Sequence, residues 1–78
     1  MNPHETETLV RTCVREVAPE ADLDTLPPDA DLRESLYLDS LDFLALVELL
    51  SERTGHRIDE EDYPRLESLS STVEFLSR

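Results

Sequence analysis

The chain contains no lysine, and its seven basic side chains are all arginine. Because nineteen acidic side chains oppose them, the formal net charge is −12 at pH 7. Such a surface repels nucleic-acid phosphates and anionic lipid headgroups, so we expect neither nucleic acid nor a membrane as a partner. The absence of lysine also excludes Schiff-base chemistry. A protein with a basic surface, in contrast, would be steered towards this chain.

Long apolar runs and paired cysteines are also missing. The longest apolar run, residues 43–47, has five residues, whereas a membrane-spanning helix needs about 20. The first residues show neither the basic patch nor the apolar stretch of a secretory signal. The single cysteine, Cys13, can form neither an internal disulfide nor a cysteine-based zinc site. These features predict a cytoplasmic protein, and the length of 78 residues predicts a single domain over residues 1–78.

Apolar residues recur at helical spacing in two long segments, and no strand-type alternation appears. The first predicted helix spans residues 4–17, with Asn2 as its N-cap. The second predicted helix spans residues 40–54 and begins after Asp39, a good N-cap. Gly55 is a natural residue to end it, because glycine readily adopts the left-handed conformation that follows many helices.

The last third of the chain predicts two shorter helices. A short turn over residues 60–62 ends near Pro64. The final helix is predicted over about residues 71–77, because Ser71 and Glu74 have the spacing of a capping box. The residue pattern therefore predicts three main helices and one short one.

The long loop between the first two predicted helices spans residues 18–38. Loops of this length are uncommon in compact domains. Five leucines make it too apolar for a free linker, so we expect them to hold the loop against the core. They are Leu23, Leu26, Leu32, Leu36 and Leu38.

Winding residues 40–54 into a helix at about 100° per residue separates two faces. The predicted core face consists of Phe43, Leu46, Val47 and Leu50. The opposite face is polar except for Leu41 and Leu44, which lie within one turn of Ser40 and near Glu48 and Glu52. These leucines are either ordinary surface residues, or covered by the long loop, or the apolar centre of a docking patch with an acidic rim.

Ser40 is the main candidate for chemistry. A helix N-terminus exposes unpaired N–H groups and favours a phosphate ester, although a serine beside an N-cap is also ordinary capping chemistry. A catalytic serine would need a nearby base. The two histidines are His4, near the start of the chain, and His56, about 20 Å away beyond the second helix. The Gly-x-Ser-x-Gly elbow is absent as well, so we do not expect a serine enzyme.

The acidic clusters do not match a calcium site. An EF-hand loop needs an oxygen ligand at its fifth position and glycine at its sixth. A loop that starts at Asp22 or at Asp29 has neither, so no metal ligand is predicted. We expect His4 and His56 at the surface, and Cys13 in the core on the apolar stripe of the first helix.

Residues 32–42, Leu-Arg-Glu-Ser-Leu-Tyr-Leu-Asp-Ser-Leu-Asp, resemble the acyl carrier protein family. In that family a pair of leucines four apart is followed by Asp-Ser-Leu-Asp at the start of the second helix. The segment 55–61, Gly-x-x-Ile-x-Glu-Glu, and the serine and threonine ahead of Val73 also match. The resemblance covers nearly the whole chain. It implies an all-α fold, a small four-helix bundle of three longer helices and one short helix with a long loop between the first two.

The resemblance also implies a function. Ser40 would be the attachment point of 4′-phosphopantetheine, installed from coenzyme A by a phosphopantetheinyl transferase with magnesium, and Asp39 would help to bind that transferase and its metal ion. The arm would carry acyl groups as thioesters between acyl-processing enzymes, such as a ketosynthase, an acyltransferase or an acyl-activating ligase. The pathway would be fatty-acid, polyketide or related secondary-metabolite biosynthesis. The chain itself would be a monomer without catalytic residues.

The second predicted helix resembles the recognition helix of the family. The residues expected to contact partners are Leu41, Asp42, Leu44, Glu48 and Glu52. Tyr37 stands where glycine is common, Ala45 where an acid is frequent and Glu48 where an exposed apolar residue is frequent. These departures favour a discrete carrier of a specialised pathway. Two alternatives stay open: an aminoacyl or peptidyl carrier, and an unmodified acidic helical adaptor in which Ser40 only caps the helix.

Overall fold

The computed structural model describes residues 2–77, and this part of the chain is helical with no strand. Five helical segments follow one another: α1 (Pro3–Val17), α2 (Leu32–Ser35), α3 (Ser40–Thr54), a 3₁₀ helix (Glu60–Leu66) and α4 (Leu69–Leu76). The all-α prediction is confirmed. No helix within the described residues is long and apolar enough to cross a membrane.

The helix α1 begins one residue before the predicted start and ends where predicted. The Asn2 side chain accepts a hydrogen bond from the Glu5 N–H at 2.9 Å, and Pro3 occupies the first helical position, where its missing N–H costs nothing. Its buried face includes Val10, Cys13 and Val14, which are all fully buried. The prediction that Cys13 packs in the core is therefore confirmed.

The bounds of α3 are those predicted from the sequence. Asp39 and Asp42 form a capping box: the Asp42 N–H donates to Asp39 Oδ1 at 2.8 Å, and the Asp39 N–H donates to Asp42 Oδ2 at 3.4 Å. At the other end Gly55 has φ 70°, the left-handed conformation that closes the helix. The buried residues of α3 are the four of the predicted core face, Phe43, Leu46, Val47 and Leu50.

The last helix begins earlier than predicted. Ser68, not a residue near position 71, is the N-cap of α4, and its Oγ accepts a hydrogen bond from the Ser71 N–H at 3.1 Å. Ser68 and Ser71, three residues apart, are both suitable N-cap residues for this helix. The earlier one is used because the longer helix places Leu69 in the core, where it is 1% exposed. The 3₁₀ helix likewise runs past Pro64 as far as the buried Leu66.

The long loop contains α2, a single helical turn that the sequence pattern did not predict. Asp31 caps it by accepting a hydrogen bond from the Glu34 N–H at 2.9 Å. Backbone hydrogen bonds join this part of the loop to the start of α4: the Leu32 N–H donates to the Glu67 carbonyl at 2.7 Å. An isolated antiparallel bridge also pairs Asp31 with Ser68.

The leucines of the loop hold it against the core, as predicted. Leu23, Leu32 and Leu38 are buried, whereas Leu26 and Leu36 are half-buried and pack against the core. They close one side of a hydrophobic core to which α1, α3, the 3₁₀ helix and α4 all contribute. The chain segment just before α3 is consequently fixed by Leu38, and this segment positions the first turn of α3.

Candidate functional site

Ser40 is the first residue of α3 and is exposed. The capping box is completed by Asp39 and Asp42, so no capping hydrogen bond uses the Ser40 hydroxyl. The same box engages the N–H groups of Asp39 and Asp42 and leaves those of Ser40 and Leu41 outside it. The Ser40 hydroxyl therefore stands beside backbone donors at the positive end of a helix dipole, an arrangement that favours a phosphate ester.

Two carboxylates, Asp39 and Asp42, share this helical turn with the Ser40 hydroxyl. They repel an added phosphate, unless a cation lies between the negative groups. Magnesium suits this place, because it commonly binds one or two protein carboxylates together with phosphate oxygens. Within residues 2–77 no group of three histidine, cysteine, aspartate or glutamate side chains is arranged to hold a metal ion. A magnesium ion here would thus draw its further oxygen ligands from the phosphate and from water.

The exposed face of α3 carries a surface that we call the α3 patch: Leu41, Leu44, Glu48 and Glu52. Leu41 is 77% exposed and Leu44 is 43% exposed. The interpretation that the long loop covers these leucines is therefore wrong. An apolar centre one turn from Ser40, with carboxylates beside it, fits a partner that has an apolar pocket and a basic rim.

Tyr37 is the residue whose role the sequence did not reveal. It lies three residues before Ser40, its side chain is 91% exposed, and its φ is 55°, in the left-handed region. Within residues 2–77 it is the only residue other than glycine with a positive φ. The Leu38 N–H donates to the Arg33 carbonyl at 2.9 Å, which is the bond of a Schellman motif closing α2. Tyr37 thus occupies the position where this motif usually has glycine.

Phe43, on the buried face of α3, belongs to a small cluster with Arg33 and Tyr63. The Arg33 guanidinium carbon is 5.0 Å from the centre of the Phe43 ring, and the Phe43 and Tyr63 rings meet edge to face at 5.3 Å. The cation–π contact keeps a positive charge beside α3 in a chain that is strongly negative. A cleft of about 270 Å³ borders these three residues.

A larger cleft, which we call the loop cleft, lies between the loop after α1 and the segment from Ser35 to Leu38. Its volume is about 870 Å³. Asp42 of α3 is part of its wall, so it reaches the first turn of α3. The lining residues are Val17, Ala18, Pro19, Glu20, Ala21, Asp22, Thr25, Leu26, Pro27, Ser35, Leu36, Tyr37, Leu38 and Asp42.

Neither histidine lies near Ser40 along the helices. His4 is exposed in the first turn of α1. His56 follows the far end of α3, and its ring packs against Phe75 with the ring centres 4.9 Å apart. The prediction of a surface position is confirmed for His4, whereas His56 is half-buried, with its ring tilted at 50° to the Phe75 ring.

The family model described as "Phosphopantetheine attachment site" matches residues 8–76, which include α3 and all of its capping residues. An acyl carrier protein of Saccharopolyspora erythraea is 37% identical over 46 residues, which are 59% of this chain and 48% of that protein. The matched region thus covers about half the length of this curated relative. No solved structure is significantly similar to the chain.

The family match extends over nearly the whole length of the described helices, from the second turn of α1 to the end of α4. It agrees with the exposed serine at the start of α3 and with the resemblance carried by residues 32–42. The chain belongs to the phosphopantetheine attachment family, whose members carry a covalently attached 4′-phosphopantetheine group.

Proposed function

We propose that Ser40 carries the 4′-phosphopantetheine group and that the chain delivers acyl groups, held as thioesters, to acyl-processing enzymes. The observation that supports this most directly is the exposed Ser40 hydroxyl at the N-terminus of α3, which the capping box of Asp39 and Asp42 does not use. When bound, the prosthetic group supplies a terminal thiol that forms the thioester. The residues of the chain hold and present it.

The first turn of α3 has two tasks in this proposal. The N–H groups of Ser40 and Leu41 stabilise the phosphate at the helix N-terminus. Asp39 contributes a carboxylate oxygen to the magnesium ion that a phosphopantetheinyl transferase uses, as the arrangement of like charges around Ser40 requires a cation. Both tasks leave the fold unchanged, because α3 is already capped.

The α3 patch is the proposed contact surface for the transferase and for a ketosynthase, an acyltransferase or an acyl-activating ligase. Leu41 and Leu44 provide apolar contact, while Glu48 and Glu52, together with the neighbouring Asp42, orient basic side chains of the partner. With a net charge of −12, the chain attracts such partners over a long range. The exposed Ala45 and Glu48 set this surface apart from that of a general fatty-acid carrier. We therefore propose a monomeric, cytoplasmic carrier of polyketide or another specialised acyl pathway.

Intact mass spectrometry tests the attachment. The purified chain is incubated with coenzyme A, magnesium and a promiscuous phosphopantetheinyl transferase, and we expect the mass to rise by one phosphopantetheine. The variant Ser40→Ala should keep its helical circular dichroism, since Asp39 still caps α3, and should gain no mass. Ser35→Ala is the matched control, because Ser35 is exposed and close in sequence.

Two results would contradict the proposal in different ways. If the wild-type chain gains no mass, it acts as an unmodified adaptor under these conditions and the carrier function is wrong. If Ser40→Ala still gains mass and Ser35→Ala does not, the function stands and the attachment residue is wrong.

A further inference from the structure

We propose that Tyr37 is a recognition residue for the phosphopantetheinyl transferase, which receives the Tyr37 ring in an apolar recess that carries a basic side chain. This inference rests on the proposed attachment at Ser40. It adds a contact outside the α3 patch, on the segment that leads from α2 into α3. The recess lies beside the entrance through which the transferase reaches the Ser40 hydroxyl.

The exposed apolar side chains of this protein gather around Ser40. Among residues 2–77 the large apolar side chains that are exposed are Tyr37, Leu41 and Leu44, and Tyr37 is the most exposed of them. Tyr37 lies three residues before Ser40, whereas the two leucines follow it within four residues. Exposed apolar area that collects at one place usually marks a contact surface for another molecule. Tyr37 extends that surface to the chain segment before Ser40.

The Tyr37 side chain contributes little to the fold. It is 91% exposed and forms no hydrogen bond, ion pair or ring contact with any of residues 2–77. Its backbone has φ 55°, a conformation that glycine adopts freely and that costs free energy when a side chain is present. Strain of this kind is concentrated at functional sites. An aromatic ring that strains the backbone and lies in solvent points to a role in binding.

The ring is attached to a rigid stretch of backbone. Of the residues on either side of it, Leu36 is half-buried and Leu38 is buried. The Leu36 N–H donates to the Leu32 carbonyl at 3.0 Å. The Leu38 N–H donates to the Arg33 carbonyl in the Schellman motif described above. An aromatic side chain on a fixed backbone loses little entropy when it binds, which favours it as an anchor.

Among the partners of a carrier, the transferase must approach Tyr37 most closely. It forms the bond between Ser40 Oγ and the phosphorus of 4′-phosphopantetheine. The pyrophosphate P–O bond of coenzyme A breaks, its electron pair leaves with adenosine bisphosphate, and a base of the transferase takes the hydroxyl proton. Acyl-processing enzymes meet the thioester at the far end of the arm instead. Three residues span at most about 11 Å, so a transferase active site that holds Ser40 also borders Tyr37.

The charges beside Tyr37 indicate what the recess contains. Glu34 and Asp39 are exposed acids within three residues of Tyr37. The basic residue nearest in sequence, Arg33, has its guanidinium carbon 5.0 Å from the centre of the Phe43 ring. The two carboxylates attract a basic side chain of the partner to the face of the Tyr37 ring. Arginine fits best, because its guanidinium both stacks on an aromatic ring and pairs with carboxylates.

Loading kinetics test the contact. The unmodified chain is incubated with coenzyme A, magnesium and the promiscuous transferase at several chain concentrations, and intact mass spectrometry gives kcat and KM for loading. We expect Tyr37→Ala and Tyr37→Gly to raise KM by about 10-fold, as the loss of an aromatic anchor does at an interface. The kcat should change by less than about two-fold, because the reacting atoms of Ser40 are untouched.

Two variants resolve what the ring contributes. Tyr37→Phe keeps the aromatic ring and should keep the wild-type KM. Tyr37→Leu keeps apolar area but offers no aromatic face to a cation, so its KM should lie between those of Tyr37→Phe and Tyr37→Ala. His4→Ala is the control, since it removes an exposed ring from the first turn of α1 and should leave KM unchanged.

The stability of the variants separates recognition from folding. Tyr37→Gly relieves the left-handed strain, so it should be more stable than the wild type in chemical denaturation and still have the higher KM. Tyr37→Ala keeps the strain. A raised KM in Tyr37→Gly together with a wild-type KM in Tyr37→Ala would assign the effect to backbone flexibility and overturn the ring contact.

The remaining outcomes distinguish this inference from the function on which it rests. A wild-type chain that gains no mass overturns the attachment at Ser40 and, with it, the recognition role of Tyr37. A loaded wild type whose Tyr37→Ala and Tyr37→Gly variants have an unchanged or lower KM overturns the recognition role and leaves the carrier function intact. A Tyr37→Leu variant with the wild-type KM overturns the basic side chain of the recess alone.

Discussion

Arg53 of α3 and Glu16 of α1 form a bidentate ion pair that joins the last turns of the two helices. Arg53 Nη2 donates to Glu16 Oε1 at 2.8 Å, and Nη1 contacts the other carboxylate oxygen. The same Nη1 lies 3.9 Å from Cys13 Sγ. The hydrogen bond from Arg53 lowers the pKa of Glu16 from its ordinary value of 4.5. Burial raises the pKa of the Cys13 thiol above 9.0, although the Arg53 charge opposes this.

The lowered pKa of Glu16 makes the contribution of this pair depend on pH. A carboxyl group whose pKa is lower in the folded state stabilises that state above its unfolded pKa, and this stabilisation is lost as the pH falls through the folded pKa. In urea unfolding, we expect Glu16→Gln to have a lower midpoint than the wild type at pH 7. The difference should diminish as the pH falls below 4.5, because Glu16 then becomes protonated in the folded state as well. Because the pair is solvent-exposed, the effect will be small.

Glu52→Gln is the matched control for this experiment, since Glu52 is an exposed acid of α3 outside the ion pair. Removing the charge of Glu16 or of Glu52 relieves the general repulsion among acidic side chains to a similar extent. The difference in stability between the two variants therefore reports the contribution of the Arg53–Glu16 ion pair. A difference between Glu16→Gln and the wild type that persists unchanged at pH 3 would mean that packing, and not the ion pair, connects the helices.

The left-handed backbone at Tyr37 predicts a stabilising substitution. A side chain in this conformation costs about 1–2 kcal/mol, while glycine costs about 0.5–1 kcal/mol in the entropy of the unfolded chain. Tyr37→Gly should therefore raise the free energy of unfolding by about 0.5–1 kcal/mol, which chemical denaturation of the unmodified chain can measure. Tyr37→Ala keeps the Cβ strain and loses only an exposed ring, so its stability should equal that of the wild type. Equal gains from both variants would show that the ring itself is unfavourable.

The α3 patch predicts different effects for its leucines and its acids. Truncating an apolar anchor at an interface commonly costs about 2 kcal/mol, a loss of about 30-fold in affinity, whereas a charge at the rim mainly changes the association rate. Leu44→Ala should therefore weaken acyl transfer to the cognate synthase more than Glu52→Ala does. High salt should abolish the effect of Glu52→Ala and leave that of Leu44→Ala.

Circular dichroism must first show that both variants of the α3 patch are folded, because a loosened bundle would imitate lost docking. A folded Leu44→Ala variant that transfers its acyl group at the wild-type rate would exclude Leu44 as an anchor.

The excess of negative charge predicts that stability depends on ions. At low salt the acidic side chains repel one another, and at 0.1 M salt this repulsion is screened beyond about 10 Å. We expect the thermal midpoint of the unmodified chain to rise with added sodium chloride, and to rise at lower concentrations of magnesium. A midpoint that stays constant in both titrations would show that the acids are too far apart to matter.

The sequence predicts most accurately where local signals agree. Asp39 and Gly55 mark both ends of α3, and its core face follows from the helical period alone. Local signals fail where two serines are equally good N-caps and burial decides which of them is used. Ser68, and not Ser71, caps α4, because the helix that starts there places Leu69 in the core. A single turn such as α2 is too short to show any period.

Some features of the candidate site are likewise predictable from the sequence, and others are not. The sequence indicates Ser40 through its place at a helix start and through the resemblance of its neighbours. Its departure from glycine at position 37 is also visible, but the left-handed backbone there depends on the Schellman bond from the Leu38 N–H to the Arg33 carbonyl. The long loop that forms one wall of the loop cleft is bound to α1 by the hydrogen bond from Arg11 to the Leu23 carbonyl, a contact between residues 12 positions apart that no local pattern encodes.

The backbone bonds between the long loop and the start of α4 have a consequence for the order of folding. The Leu32 N–H binds the Glu67 carbonyl, the Ser70 N–H binds the Pro28 carbonyl at 2.9 Å, and Asp31 pairs with Ser68. Contacts between such distant parts of a chain form late, because the intervening segment must first close into a loop. We therefore expect residues 28–32, and with them the segment that leads to Ser40, to adopt their folded structure only after residues 67–70 have left the ribosome. A transferase would then meet a finished attachment site only on chains whose synthesis has passed that point.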